Sequence, residues 1–124
     1  MTTYKQCLER KGVFSSQCRR SVRLKKCPQR RGRISKIVIK TPRKPNSAKR
    51  RTAKVILSTR KPIFAKLLGS GGIPHKYAAV LVCGHGYNDT PQVNYRIIRG
   101  ALECSPLYNR KRRRSIYGVK RRYI

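Results

Sequence analysis

Acidic residues are almost missing from this sequence. Glu9, Asp89 and Glu103 are the only carboxylate side chains, against 33 lysines and arginines, and the formal net charge is +30. A chain so one-sided repels itself in isolation, so a polyanionic partner is expected. The same scarcity weakens a catalytic reading. General acid–base work needs paired carboxylates or a histidine with an orienting acid, and these three acids lie far apart. Tryptophan is absent, and phenylalanine occurs only at Phe14 and Phe64. That counts against a free single-strand-binding protein, which stacks bases on aromatic platforms. There is no long apolar run and no apolar signal sequence. The basic segments also lack the large apolar anchors of a helix lying on a membrane. Nucleic acid is therefore the expected partner, and a membrane is not.

Paired cysteine spacing is missing too. Cys7, Cys18, Cys27, Cys83 and Cys104 include no C-x-x-C, and their number is odd. A disulfide framework is not expected, and a reducing compartment is the simpler assumption. A metal site drawn from Cys83, His85 and either His75 or Cys27 lacks ligand spacing. Cys83 and His85 would share one face of a strand without standing as nucleophile and base. The reading assigns no catalytic residue, no metal and no cofactor: the chain is not expected to be an enzyme.

What the sequence does have is a stiffened basic loop. Thr41–Arg51 carries Arg43, Lys44, Lys49, Arg50 and Arg51, with prolines at 42 and 45. Proline lacks a donor N–H and fixes φ, so neither a helix nor an inner strand suits this stretch. At its tip stand Asn46 and Ser47, short side chains that both donate and accept hydrogen bonds.

The charge is unevenly distributed. Residues 1–32 hold ten bases, 33–60 hold ten, 61–109 hold five and 110–124 hold eight. Both ends and the first loop are loaded, whereas the second half of the expected core is nearly uncharged. Residues 1–32 show no sustained period and read as an extended basic arm, with a short helix expected over 3–11. Residues 101–124 read as a basic tail, with Tyr108, Tyr117 and Tyr123 among the cations. Each tyrosine could stack on RNA or pack back on the core.

Between the arm and the tail, residues 33–100 read as five short strands. These are Ile34–Ile39, Thr52–Ser58, Ile63–Leu68, Ala78–Cys83 and Val93–Ile97, chosen for β-branched content, alternation or continuous apolar character. In the second strand Ala53, Val55 and Leu57 fall on one face, with Thr52, Lys54, Ile56 and Ser58 on the other. The expected fold is all-β: a small five-stranded barrel of the OB type, with an extended N-terminal arm and a basic tail. Such barrels bind oligonucleotides through their first and fourth loops. Here those are the 41–51 loop and the polar loop 84–92. Asp89, in the second of these, reads either as a turn-capping residue before Pro91 or as an ion-pair partner for a base in the first loop.

Several motifs stand in register along the chain: Cys27-Pro28-Gln29-Arg30-Arg31-Gly32, Thr41-Pro42-Arg43-Lys44-Pro45-Asn46-Ser47-Ala48, Asp89 with Pro91, Arg99-Gly100-Ala101-Leu102-Glu103-Cys104, and Arg114-Ser115-Ile116-Tyr117-Gly118-Val119-Lys120-Arg121. On these the chain resembles the bacterial-type family of small ribosomal subunit protein twelve, over roughly residues 27–122. The resemblance implies a structural constituent of the small ribosomal subunit. Its barrel would sit at the decoding centre, and its arm would thread through ribosomal RNA.

By the same resemblance, Arg43, Lys44, Pro45, Asn46 and Ser47 would form the rRNA-binding decoding loop, with Asn88, Asp89 and Pro91 in a second loop beside it. Arg30, Arg31, Lys49, Arg50, Arg51, Arg110, Lys111, Arg112, Arg113, Arg114, Lys120 and Arg121 would hold rRNA phosphates. The implied partners are small-subunit rRNA, neighbouring ribosomal proteins and, indirectly, tRNA and mRNA at the A site. Arg43 replaces a common lysine. Asn88, Thr90 and Gln92 replace the usual lysine, leucine and glycine. Divergence around preserved motifs points to an organellar member, mitochondrial rather than plastid or bacterial.

Overall fold

The computed structural model describes residues 3–9, 22–44, 47–85 and 89–121. The strands are β1 (Gln29–Lys40), β2 (Arg50–Leu57), β3 (Pro62–Lys66), β4 (Ala79–Gly84) and β5 (Tyr95–Ile97). They close into a barrel in the order β1-β2-β3-β5-β4, with β4 returning to β1. β3 and β5 run parallel, and the other pairs are antiparallel. This is the five-stranded barrel expected from the sequence. Each strand lies where the pattern put it, although β1 begins at Gln29, inside the stretch read as arm.

β1 organises the closure. Its first residues, Gln29–Arg33, pair with β4, and Gly32–Lys40 pair with β2. Gly32 belongs to both ladders. A Cβ there would lie 2.6 Å from Val55 Cγ1 and 2.8 Å from the Ile56 carbonyl oxygen, so glycine lets β2 approach where the strand changes partners. The β1–β2 register shifts between Ile34 and Lys36. Such a bulge sharpens the bend of a strand and helps it turn around a barrel.

The core follows the alternation. Val55, Ala53, Leu57, Ile63, Ala65, Val80, Val82 and Ile97 are all buried. Thr52 departs from its expected outward face. It is fully buried, and its hydroxyl donates to the Val38 carbonyl at 3.0 Å. Val38 is its cross-strand partner, so the bond satisfies the hydroxyl locally and makes its burial cheap.

The described part of the arm has two pieces. A helix, α1 (Tyr4–Glu9), falls within the expected 3–11. Thr3 and Gln6 cap it reciprocally, Gln6 N–H to Thr3 Oγ1 at 3.4 Å and Thr3 N–H to Gln6 Oε1 at 3.0 Å, the geometry of a capping box. A 3₁₀ turn, Val22–Leu24, then drives Leu24 into the barrel core, where it is 1 % exposed. Burying such a side chain contributes ~1.5–3 kcal/mol. Beside it the Arg23 backbone N–H donates to the Tyr95 hydroxyl at 3.2 Å, and Arg23 Nη1 donates to the Pro62 carbonyl at 3.3 Å. The arm is thus pinned to β5 and β3 before it enters β1. No helix among the described residues is long and apolar enough to cross a membrane.

Candidate nucleic-acid interface

The first loop leaves β1 at Lys40 and returns in β2 at Arg50, which is paired with Lys40. The loop after β4 comes up beside it. The Arg43 N–H donates to the Asp89 carbonyl at 3.0 Å, and Arg50 Nε donates to Asp89 Oδ2 at 3.1 Å. Asp89 therefore holds the first loop near both its ends, once with its backbone and once with its carboxylate. The geometry supports the ion-pair reading of this acid. Pro42 and Thr90 are buried below the junction, while Arg43, Lys44, Ser47 and Lys49 are exposed above it. The Thr90 hydroxyl is buried without a hydrogen-bond partner among the described residues. Pro91 is exposed. Pro45, Asn46 and Asn88 lie outside the described residues.

The bases at the end of the first loop gather around a groove. Lys49, Arg50 and Arg51 share it with Lys66, Gly69 and Ser70, and its volume is about 390 Å³. Lys66 was not singled out from the sequence. Its signal is alternation: Ile63 and Ala65 point inward on β3, so Phe64 and Lys66 face outward. Lys40 lies over the Phe64 ring, 3.7 Å from its centroid, which holds one more cation on this side of the barrel.

Arg30 and Arg31 separate. Arg30 Nη2 turns back to the Leu24 carbonyl at 3.2 Å and to Cys27 Sγ at 3.0 Å, clasping the 3₁₀ turn. Arg31 is exposed. In the tail, Arg110, Lys111, Arg112 and Arg113 are exposed, Arg114 is half-buried, and Lys120 and Arg121 are exposed. The tail runs through turns that Arg99 fastens to the barrel. Arg99 is 3 % exposed. Its Nε donates to Leu68 O at 2.5 Å, Nη1 to Gly72 O at 2.9 Å and to Ser105 O at 3.2 Å, and Nη2 to Gly71 O at 2.9 Å. Burial lowers its pKa from the ordinary arginine value. Gly118 lies directly on it: with φ +69, a Cβ there would sit 2.6 Å from the Arg99 carbonyl oxygen.

Several groups considered for catalysis or metal binding are engaged elsewhere. Cys83 is buried and its sulfur accepts from Arg96 Nε at 3.2 Å. The His85 backbone N–H donates to Asn94 O at 2.8 Å. Burial, followed by the charges of Arg96 and Lys66, holds the His85 imidazole below its usual pKa. Cys104 sits in the core, where burial pushes its thiol up. Glu103 accepts from the Ala79 N–H. Among the described residues no group of three or more His, Cys, Asp or Glu side chains could hold a metal ion.

The barrel thus carries two loops joined through one aspartate, a basic groove and a pinned basic tail. The family model for ribosomal protein S12/S23 matches residues 17–122. The chain belongs to the ribosomal protein S12/S23 family. It is also 45 % identical over 95 residues to the small ribosomal subunit protein uS12m of Bigelowiella natans, a match covering 77 % of this chain and 75 % of the relative.

As an S12/S23 protein the chain is a structural constituent of the small ribosomal subunit. The matched segment spans every strand of the barrel, both joined loops and the tail through Arg121. Two side chains that hold the S12/S23 scaffold together carried no local sign of that role. Leu24 is an isolated apolar residue in a basic stretch. Tyr95 reads as an inward strand residue, and nothing local marks its hydroxyl as the acceptor for Arg23.

Proposed function

We propose that this S12/S23 protein binds small-subunit rRNA at the decoding centre and supports accurate codon–anticodon recognition. The observation that carries the reading is the double link from Asp89 to Arg43 and Arg50. It makes one basic surface of the two loops that the family resemblance assigns to decoding. On that surface Arg43 and Lys44 hold rRNA phosphates, and the tip with Pro45, Asn46 and Ser47 meets an RNA minor groove. An A-form minor groove is wide and shallow and displays 2′-hydroxyls, so short polar side chains can read its shape without reading sequence. Asn88, Asp89 and Pro91 support this face from the second loop. Lys49, Arg50 and Arg51 neutralise phosphates around it, and Arg31 and the tail bases hold further rRNA phosphates. Arg30, although its Nη2 is turned inward, adds its full charge to theirs.

The protein makes and breaks no bond in this role. It supplies a difference in free energy between matched and mismatched pairs, and it reaches tRNA and mRNA at the A site through rRNA. Neighbouring small-subunit proteins complete its surroundings. The relative's name carries the mitochondrial suffix, and we place this chain in a mitochondrial ribosome. The test is misreading of a near-cognate codon by ribosomes carrying Asn46→Ala or Ser47→Ala. Altered accuracy with subunit assembly intact is the expected result, and unchanged accuracy in both variants overturns the role of the tip.

A further inference from the structure

Tyr108 and Tyr117 resolve in opposite ways the choice between packing and presentation. Tyr117 is half-buried, with the Arg110 guanidinium 4.8 Å from its ring centroid. A Cβ on Gly69 would come within 3.1 Å of its ring. Tyr108 is 70 % exposed. The segment that presents it is neither helix nor strand, yet it is held in place. Leu107 N–H donates to Tyr117 O at 3.2 Å, Arg110 N–H to Leu107 O at 3.2 Å and Val119 N–H to Arg114 O at 3.0 Å. Gly118 then fixes the far side against Arg99.

These turns enclose an open pocket of about 540 Å³ whose walls include Tyr108, Asn109, Lys111, Arg114 and Lys120. Its volume falls in the ~300–1,000 Å³ range of small-ligand sites. Val119 gives it an apolar patch, and Arg110, engaged with Tyr117, shapes its rim. No acid lines it. The pocket therefore offers one exposed aromatic face, one amide that both donates and accepts, and several cations at the edge. A ligand that uses all three has a flat ring with hydrogen-bonding edges and negative charge on either side.

We propose that this pocket takes a single unstacked nucleotide of RNA. The base lies on the Tyr108 ring, its edge meets the Asn109 amide, and the flanking phosphates rest on Lys111, Arg114 and Lys120. Unpaired bases are bound in this way when aromatic side chains offer a stacking face and amides read the base edge. The proposal rests on the rRNA-binding reading and deepens it. It names a second point of contact, on the tail, that recognises a base and not only phosphate.

The test uses whole small subunits containing the full chain, probed with dimethyl sulfate and a 2′-hydroxyl acylating reagent. In subunits carrying Tyr108→Ala, one unpaired nucleotide is expected to become about tenfold more reactive, the scale of a lost base–aromatic stack. Tyr108→Phe is expected to retain protection, and Asn109→Ala to lose part of it. An unchanged pattern in Tyr108→Ala overturns the proposal. So does equal deprotection by Tyr108→Phe, which would assign the contact to the hydroxyl. Loss of a neighbouring protein with no change in RNA reactivity would assign the pocket to a peptide and overturn it too. Protection of decoding-site nucleotides by the 41–51 loop is read in the same experiment. Its absence would defeat the decoding reading separately.

Discussion

Arg50 and Asp89 lie 39 residues apart in sequence and meet at 3.1 Å between Nε and Oδ2. Their side chains are 40 % and 20 % exposed, respectively, so solvent screens the pair. A double-mutant cycle with Asp89→Ala and Arg50→Ala is expected to give a coupling of only ~0.5–1 kcal/mol in the urea stability of the full chain. The same coupling in ribosomes should appear as a change of about twofold to fivefold in misreading. A null coupling in both measurements would show that the two loops are aligned without this pair.

Leu24 is the apolar plug of the arm. Leu24→Ala is expected to destabilise the full chain by about 2–5 kcal/mol, and Leu24→Met by less than about 1.5 kcal/mol. Urea midpoints check both. If alanine costs no more than methionine, the turn is not seated in the core.

Arg99 makes four hydrogen bonds to carbonyls from one planar group. A lysine has the charge but not the fork. Arg99→Lys is expected to cost about 1–3 kcal/mol, because a buried cation keeps its charge while losing most of its hydrogen bonds. It should also raise proteolytic cleavage within 105–119 in limited digestion. Unchanged digestion would show that the tail is held by other contacts.

Thr90 buries a hydroxyl that has no partner among the described residues. Valine has the same shape without that group, so Thr90→Val is expected to be neutral or to stabilise by up to ~1 kcal/mol. A loss of stability in thermal melts would mean that the hydroxyl is bonded in solution.

Much of the barrel was legible because β-branched and alternating stretches fall on short strands that must bury one face. Ala53, Val55 and Leu57 read correctly for that reason. Thr52 did not, because polarity placed it outside while its bond to Val38 O satisfies it inside. The two loops were legible by their chemistry, and Asp89 stood out as an acid in a chain that avoids acids. Which base it meets was not legible, since that depends on how β4 returns past β1. Leu24 was illegible for a related reason: one leucine in a basic run has no period, and its burial is fixed by strands that come much later in the chain. Arg99 stood in a recognised motif, yet its partners at 68, 71 and 72 lie on the loop after β3, some thirty residues away, and the fourth, at 105, lies in the tail.

The way the arm is pinned sets an order of events during synthesis. Arg23 docks on the hydroxyl of Tyr95, 72 residues downstream, and Gln29 pairs with Cys83. At ~5–20 residues per second, several seconds separate the emergence of the two halves of each contact. The basic arm thus emerges well before the strands that anchor it. Throughout that interval the nascent arm is an unneutralised polycation beside RNA, and the closing of β5 is the step that ends it.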